Sequence, residues 1–482
     1  MVERGCVVPG SFVVASDSHS NMYGALGAVG TPIVRTDAAA VWATGEFWWQ
    51  IPRTIQVVLE GKLQEGVTGK DVIIALCGLY NHDEALNAAV EFSGPGVASL
   101  GMDARFSISN MSTEWGPIVG WFPVDEVTLQ YMHGVQRRLK EAGVNRFTDA
   151  DLEEWATNPP LPDPGAPYSA RIVLDLSQVT PHVSGPDTVQ VMQSVAEMEK
   201  KKVAIQKAYI LSCVNSRAAD LEAAARVLRG KKVAPGVKFY LGAASACVQQ
   251  AAERTGAWQA LLDAGAIPLP PSCGPCIGLG TGLLEKGEVG ISATNRNFKG
   301  RMGSRDAQCY LASPEVVAAS AIAGYITGPS RFADRTPARE YQEFASGGYA
   351  ADRVEILPGF PKRVRGRLVF MPQDNVNTDA IYGKDYTYRD DMTPEMMARV
   401  VMENYDPEFT TRTRAGDIIV GGFNFGTGSS REQAVTCLKA KGIPLVIAAS
   451  FSQTYLRNAY NNGFLCIEVP ALVPLVFHSW MP

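Results

Sequence analysis

Histidine is scarce in this chain of 482 residues: there are five, and none falls between His182 and His478. That interval holds the one Cys-x-x-Cys clamp, Cys273 and Cys276 in PSCGPCIGLG. A four-ligand zinc site needs a second clamp or a histidine pair beside the first, so the clamp fits that chemistry poorly. No uninterrupted apolar run approaches the ~20 residues of a spanning helix. The opening MVERGCVVPG has neither the apolar core nor the cleavage site of a signal peptide, so the chain reads as soluble and not secreted by that route. No basic run marks a nucleic-acid surface, and the formal net charge is -5. The nine cysteines lack the dense, paired spacing of small secreted proteins, which points to a reducing compartment. Cys6, Cys77, Cys247, Cys309, Cys437 and Cys466 read as small apolar side chains, buried or half-buried.

What is present is a chain long enough for several domains. Strand-like runs alternate with stretches of helical period: KAYILSC (207–213), RAADLEAAARVLRG (217–230) and VKFYLGA (237–243) have the βαβ pattern of a mostly parallel sheet. The pattern returns in GDIIVGG (416–422), SREQAVTCLKAKG (430–442), PLVIAAS (444–450), SQTYLRNAYNNG (452–463) and FLCIEV (464–469). The Gly-, Pro- and charge-rich stretch 328–362 reads as holding a linker, and TNPPLPDPGAP (157–167) as an insertion or domain edge.

A Cys-x-x-Cys clamp deep in a large domain is poorly placed for a thioredoxin-like redox pair, which leaves soft thiolate ligation of iron with a further cysteine. Cys213 is the candidate, at a predicted strand end where sheet ligands bind and helix amides would favour a thiolate. Three thiolates are one short of a closed [4Fe-4S] set, and an open iron suggests Lewis-acid work. Asp17, Ser18 and His19 leave a strand on a turn, which alone reads as ordinary capping. Asn110 and Glu114 share one face if their segment is helical. Arg296 and Arg301 either fork carboxylates or sit on a solvated basic loop. FGTGSSREQA (425–434) is a Gly-rich turn that offers amides to an anion, a nucleotide included.

In order, SDSHS, NMSTE, SCVNSR, CGPCIG, NRNFKGR and GTGSSRE resemble the signatures of the aconitase superfamily over nearly the whole chain. The longer stretches around SDSHS and CGPCIG resemble its fungal-type homoaconitase branch more than aconitase proper or 3-isopropylmalate dehydratase. The resemblance implies three-layer α/β/α domains around an iron–sulfur cluster plus a C-terminal swivelling α/β domain. It divides the chain into residues 1–52, the remnant of a first domain; 53–178, a second; 179–335, a third with the cluster cysteines; 336–362, a linker; and 363–482, the swivel domain. It implies one [4Fe-4S] cluster on Cys213, Cys273 and Cys276 with one open iron, lined by Asn110 and Asn295. Ser430 would be the base; Asp17, His19 and Glu114 would orient the departing water; Ser18, Arg296, Arg301, Ser429 and Arg431 would bind substrate. The implied reaction is reversible dehydration of a small tricarboxylic acid in lysine biosynthesis, in mitochondria, by a monomer with no nucleic-acid or membrane partner. SDSHS begins at residue 16 and the tail VPLVFHSWMP departs from the pattern, so the first and swivel domains are expected to be incomplete, without the first domain's upstream catalytic groups.

Overall fold

The computed structural model describes residues 1–344, 358–473 and 475. Strands β1 (Phe12–Ala15) and β2 (Val29–Pro32) pair in parallel. Strands β3 (Thr54–Glu60), β4 (Ala89–Ser93), β5 (Val119–Trp121) and β6 (Ala170–Asp175) make a parallel sheet in the order β6-β3-β4-β5. The third sheet has seven strands: β7 (His182–Ser184), β8 (Met192–Ser194), β9 (Lys207–Ile210), β10 (Lys238–Leu241), β11 (Ile267–Pro268), β12 (Val289–Ser292) and β13 (Gln308–Leu311). Its order is β11-β10-β9-β12-β13-β7-β8, parallel as far as β13 and antiparallel beyond. In the fourth sheet β15 (Leu368–Phe370), β16 (Ile418–Val420), β17 (Leu445–Ala448) and β18 (Leu465–Glu468) lie side by side, all parallel. This is the mixed α/β architecture the alternating runs predict.

The central strands are continuous apolar runs because helices cover both of their faces. All four residues of β9 are buried, and so are Ala224, Ala225 and Leu228 of the Ala218–Leu228 helix packed in the same core. The strand order reverses at β9, with β10 and β11 to one side and β12 and β13 to the other. Loops leaving β9 and β12 therefore part at this point and open a crevice at the carboxyl edge of the sheet.

Two-stranded β1/β2 is too small to enclose a core. Val2, Val7, Ala25, Leu26 and Ala28 instead share theirs with Met102 and Phe106 of the Met102–Trp115 helix and with Met132, Val135 and Leu139 of Glu126–Glu141. Strand β14 (Glu340–Glu343), inside the expected linker, is added antiparallel to β6; Tyr341 packs against the core of that sheet. Residues 345–357 of the same stretch, and nearly all of the divergent tail, lie outside the described residues. Two cysteines depart from expectation: Cys6 and Cys247 are exposed, whereas Cys77, Cys309 and Cys437 are buried and Cys466 is half-buried. Among the described residues no helix is long and apolar enough to cross a membrane.

Candidate active site

The loops at the carboxyl edge of the seven-stranded sheet bring sulfur and amide groups together. Cys213 follows β9, Cys273 and Cys276 follow β11, and Asn295, Arg296 and Arg301 follow β12. Asn295 is the hub of this wall. Its Oδ1 lies 3.8 Å from both Cys213 Sγ and Cys276 Sγ, and its Nδ2 donates to Asn110 Oδ1. Asn110 Nδ2 lies 3.4 Å from Cys213 Sγ, closing the ring. The clamp itself is a short turn, with Cys276 N–H donating to Cys273 O at 2.9 Å, and it leaves Cys273 exposed and Cys276 buried.

The expectation that helix amides would favour a thiolate at Cys213 is not met. The helix opens only at Ala218, and burial, with Asp17 and Cys273 nearby, pushes the Cys213 thiol well above its ordinary value. Burial and Cys276 likewise push Cys273 up to about 11. Desolvated neighbouring thiols give up their protons to a metal cation that takes their place, so this donor set fits a soft metal centre. Among the described residues no group of three or more His, Cys, Asp or Glu side chains is placed to hold a single metal ion.

A second wall is built from the Met102–Trp115 helix and the turn after β1. The helix runs through the interior, so its polar residues as well as Phe106, Ile108 and Met111 are buried, and Asn110 and Glu114 do share a face. Thr113 Oγ1 donates to Ser18 O at 2.9 Å, fastening the turn to the helix. Within the turn His19 N–H donates to Asp17 Oδ1 at 2.7 Å, which closes the turn locally, although the short helix that opens at Ser20 has no side-chain cap. The ring does more: Nε2 lies 3.0 Å from Glu114 Oε1 and Nδ1 lies 3.6 Å from Asp17 Oδ1. Arg296 Nε donates to the same Glu114 oxygen at 2.6 Å, and its Nη2 to Gly428 O at 3.0 Å. Burial works against both Glu114 and His19 in their charged forms. Their mutual pairing, with Arg296 added on the Glu114 side, still holds Glu114 below and His19 above their ordinary values. Arg296 is only 1% exposed and Arg301 5%, which removes the solvated-loop alternative.

The third wall follows β16. Gly426 and Gly428 have φ of +80° and +102°, a region L side chains avoid. A Cβ on Gly426 would stand 2.2 Å from the Tyr455 ring. The turn thereby brings Ser429, Ser430 and Arg431 ahead of the Gln433–Ala440 helix rather than into it. Ser430 N–H donates to Ser18 Oγ at 3.2 Å and Ser430 Oγ to Ser16 O at 3.1 Å, so the fourth sheet closes onto the turn after β1. Ser429 N–H donates to Thr378 Oγ1 at 3.0 Å.

Sequence reasoning passed over Asp379. This buried carboxylate accepts from Arg431 Nη2 at 3.0 Å through Oδ1 and from Arg301 Nη1 at 3.1 Å through Oδ2. Arg301 also donates from Nε to Cys276 O at 2.9 Å, and Arg431 Nη1 to Tyr382 O. The arginines expected to meet carboxylates are thus already oriented by protein groups. Arg431 Nε and Glu114 Oε2 are buried without a partner among the described residues. A cavity of about 1000 Å³ lined by Asp103, Arg217, Asp220 and Glu315 contains none of these groups.

The pattern of the aconitase family (aconitate hydratase) matches residues 1–324, and that of the aconitase C-terminal domain matches residues 347–472. The mitochondrial homoaconitase of Mycosarcoma maydis is 54% identical over 512 residues, covering 98% of this chain and 70% of that protein. Those of Eremothecium gossypii and Yarrowia lipolytica are each 54% identical over 491 residues, covering 99% and 98% of this chain and 71% of either relative. With both patterns matched in order, and the sulfur, amide, carboxylate and serine groups of its signatures gathered at one crevice, the chain belongs to the aconitase family.

Proposed function

We propose that this chain is a hydro-lyase of the homoaconitase type, interconverting homoaconitate and homoisocitrate through loss and readdition of water. The observation that carries the reading is the convergence of three cysteines, a buried His–Glu–Arg chain and a glycine-positioned serine from three sheets. Family membership brings an iron–sulfur cluster in general terms. Cys213, Cys273 and Cys276 are the residues that would hold it: Cys213 and Cys276 flank Asn295, and Cys273 stands on the same turn as Cys276. With three protein ligands such a cluster would keep one iron open and would supply a Lewis acid toward the substrate hydroxyl.

The chain's own groups divide the remaining work. Glu114 Oε2, buried and unpaired, is left to accept a hydrogen bond from the substrate hydroxyl or from water, while His19 and Asp17 fix its surroundings. Arg431 Nε, buried and unpaired, is left to donate to a carboxylate. Arg296 and Arg301, locked by Glu114 and Asp379, set the orientation in which elimination proceeds. Ser18 and Ser429 complete the polar lining. Ser430 takes the proton beside a carboxylate as its alkoxide, after the hydroxyl proton that Ser16 O accepts in the resting chain has passed to water. A serine hydroxyl is a weak base, so the alkoxide depends on the positive charge of Arg431 next to it. The relatives are named mitochondrial, and we place this chain in the same compartment, acting as a monomer on a small tricarboxylic acid.

Anaerobic reconstitution of the full chain tests the reading. The broad visible absorption of an iron–sulfur centre is expected in the unaltered chain and its loss in Cys213→Ser, with turnover of homoaconitate in the former only. Turnover of 3-isopropylmalate with none of homoaconitate would reject the assignment.

A further inference from the structure

Lys70 is the second residue of the Gly69–Leu79 helix and is fully buried. Its Nζ donates to Thr294 O at 2.6 Å and to Ala293 O at 3.3 Å, and lies 3.0 Å from Met111 Sδ. Among the described residues it makes no ion pair. Three costs meet here: an ammonium is taken out of water, it stands in the first helical turn where the macrodipole is already positive, and its hydrogen-bond partners carry no charge. Nζ has three acceptors, the two carbonyls and the Met111 sulfur, matching the three donors of an ammonium; burial pushes Lys70 down to about 8, with Glu114 and Cys276 among the groups pulling the other way. Glu114 is one buried anion near this charge, but its carboxylate is already shared by His19 and Arg296. The two carbonyls that Lys70 holds immediately precede Asn295, the residue set between Cys213 and Cys276, which places its charge behind the cysteine wall as well.

We propose that Lys70 is a positioning and charge-compensating residue for the iron–sulfur centre: its ammonium, held behind Asn295 by the carbonyls of Ala293 and Thr294, offsets the negative charge of the thiolate-ligated cluster. This rests on the cluster reading above. Reduction adds an electron to a group that is already anionic, so a fixed positive charge nearby favours the reduced state. Removing that charge shifts the reduction potential to more negative values.

The test is a redox titration of the reconstituted full chain, unaltered and as Lys70→Met and Lys70→Gln, followed by visible absorption and electron paramagnetic resonance. Gln keeps a donor for the two carbonyls and removes only the charge, so it decides the matter if the Met variant fails to fold. Both variants are expected to show a tenfold lower ratio of reduced to oxidised cluster at a set potential, a shift of about 59 mV for a one-electron couple. Equal potentials in all three chains overturn the proposal, as does a shift in Lys70→Met with Lys70→Gln unchanged, which makes the residue a neutral anchor. Failure of the unaltered chain to take up a cluster overturns the proposed function and this inference with it, and is told apart from the other outcomes by its colour alone.

Discussion

Replacing Asp379 by alanine is expected to destabilise the chain by about 3–5 kcal/mol, the cost of stranding buried charge. Both of its oxygens are committed, one to Arg431 and one to Arg301, and its side chain is 1% exposed. Burial opposes the charge, yet the two arginines hold the carboxyl below its ordinary value. Arg431 belongs to the turn after β16 and Arg301 to the loop after β12, so Asp379 ties the four-stranded sheet to the seven-stranded one. Urea unfolding of Asp379→Ala should therefore show an earlier transition and a separate melting step for the four-stranded unit. A loss under about 1 kcal/mol in a single transition would mean that the pairs behave like exposed ones.

Glu114→Gln is expected to have a comparable cost, again about 3–5 kcal/mol, because it leaves Arg296 and His19 without their shared anion. It also carries a pH signature. Glu114 is depressed in the folded chain, so its contribution is complete above its unfolded value near 4.5 and is lost as pH falls through the folded one. His19 is raised, so its contribution is complete below 6.5 and is lost as pH rises through the folded one. The pair therefore supports stability most between about 4.5 and 6.5, and urea midpoints of the unaltered chain should bulge in that window. In Glu114→Gln the bulge should flatten; an unchanged profile would show that the coupling is not what holds these groups charged.

Much of the frame is legible because it is periodic. β9, the following helix and β10 lie within KAYILSC, RAADLEAAARVLRG and VKFYLGA, and β16, β17 and β18 follow their alternating runs in order, whereas β15 lies in none of those runs. Cys213 can be placed at a strand end from that pattern alone. Asn110 and Glu114 carry a helical spacing, but nothing local says that their helix runs through the interior, since its buried face includes Ser107, Ser109 and Ser112. Asp379 leaves no local trace. In NVNTDAIYG it looks like one more turn aspartate, and its importance comes from Arg301 and Arg431, which reach it from loops distant in the chain. Lys70 is hidden the same way, as an ordinary lysine at a helix start. Glu340–Glu343 reads as linker because its residues are polar, yet β6 offered it a free edge.

The closure of the fourth sheet onto the turn after β1 has a kinetic side. Ser430 Oγ meets a carbonyl 414 positions earlier in the chain, at Ser16. At ribosomal rates of about 5–20 residues per second, that turn waits roughly 20–80 s for its partner to be made. For that interval the His19 turn stands uncapped on the nascent chain. Contacts of such sequence separation also rank among the slowest to form after release. The crevice is thus finished last, by the segment that carries the proposed base, so a chain stalled before the fourth sheet would present its cysteines with no lid over them.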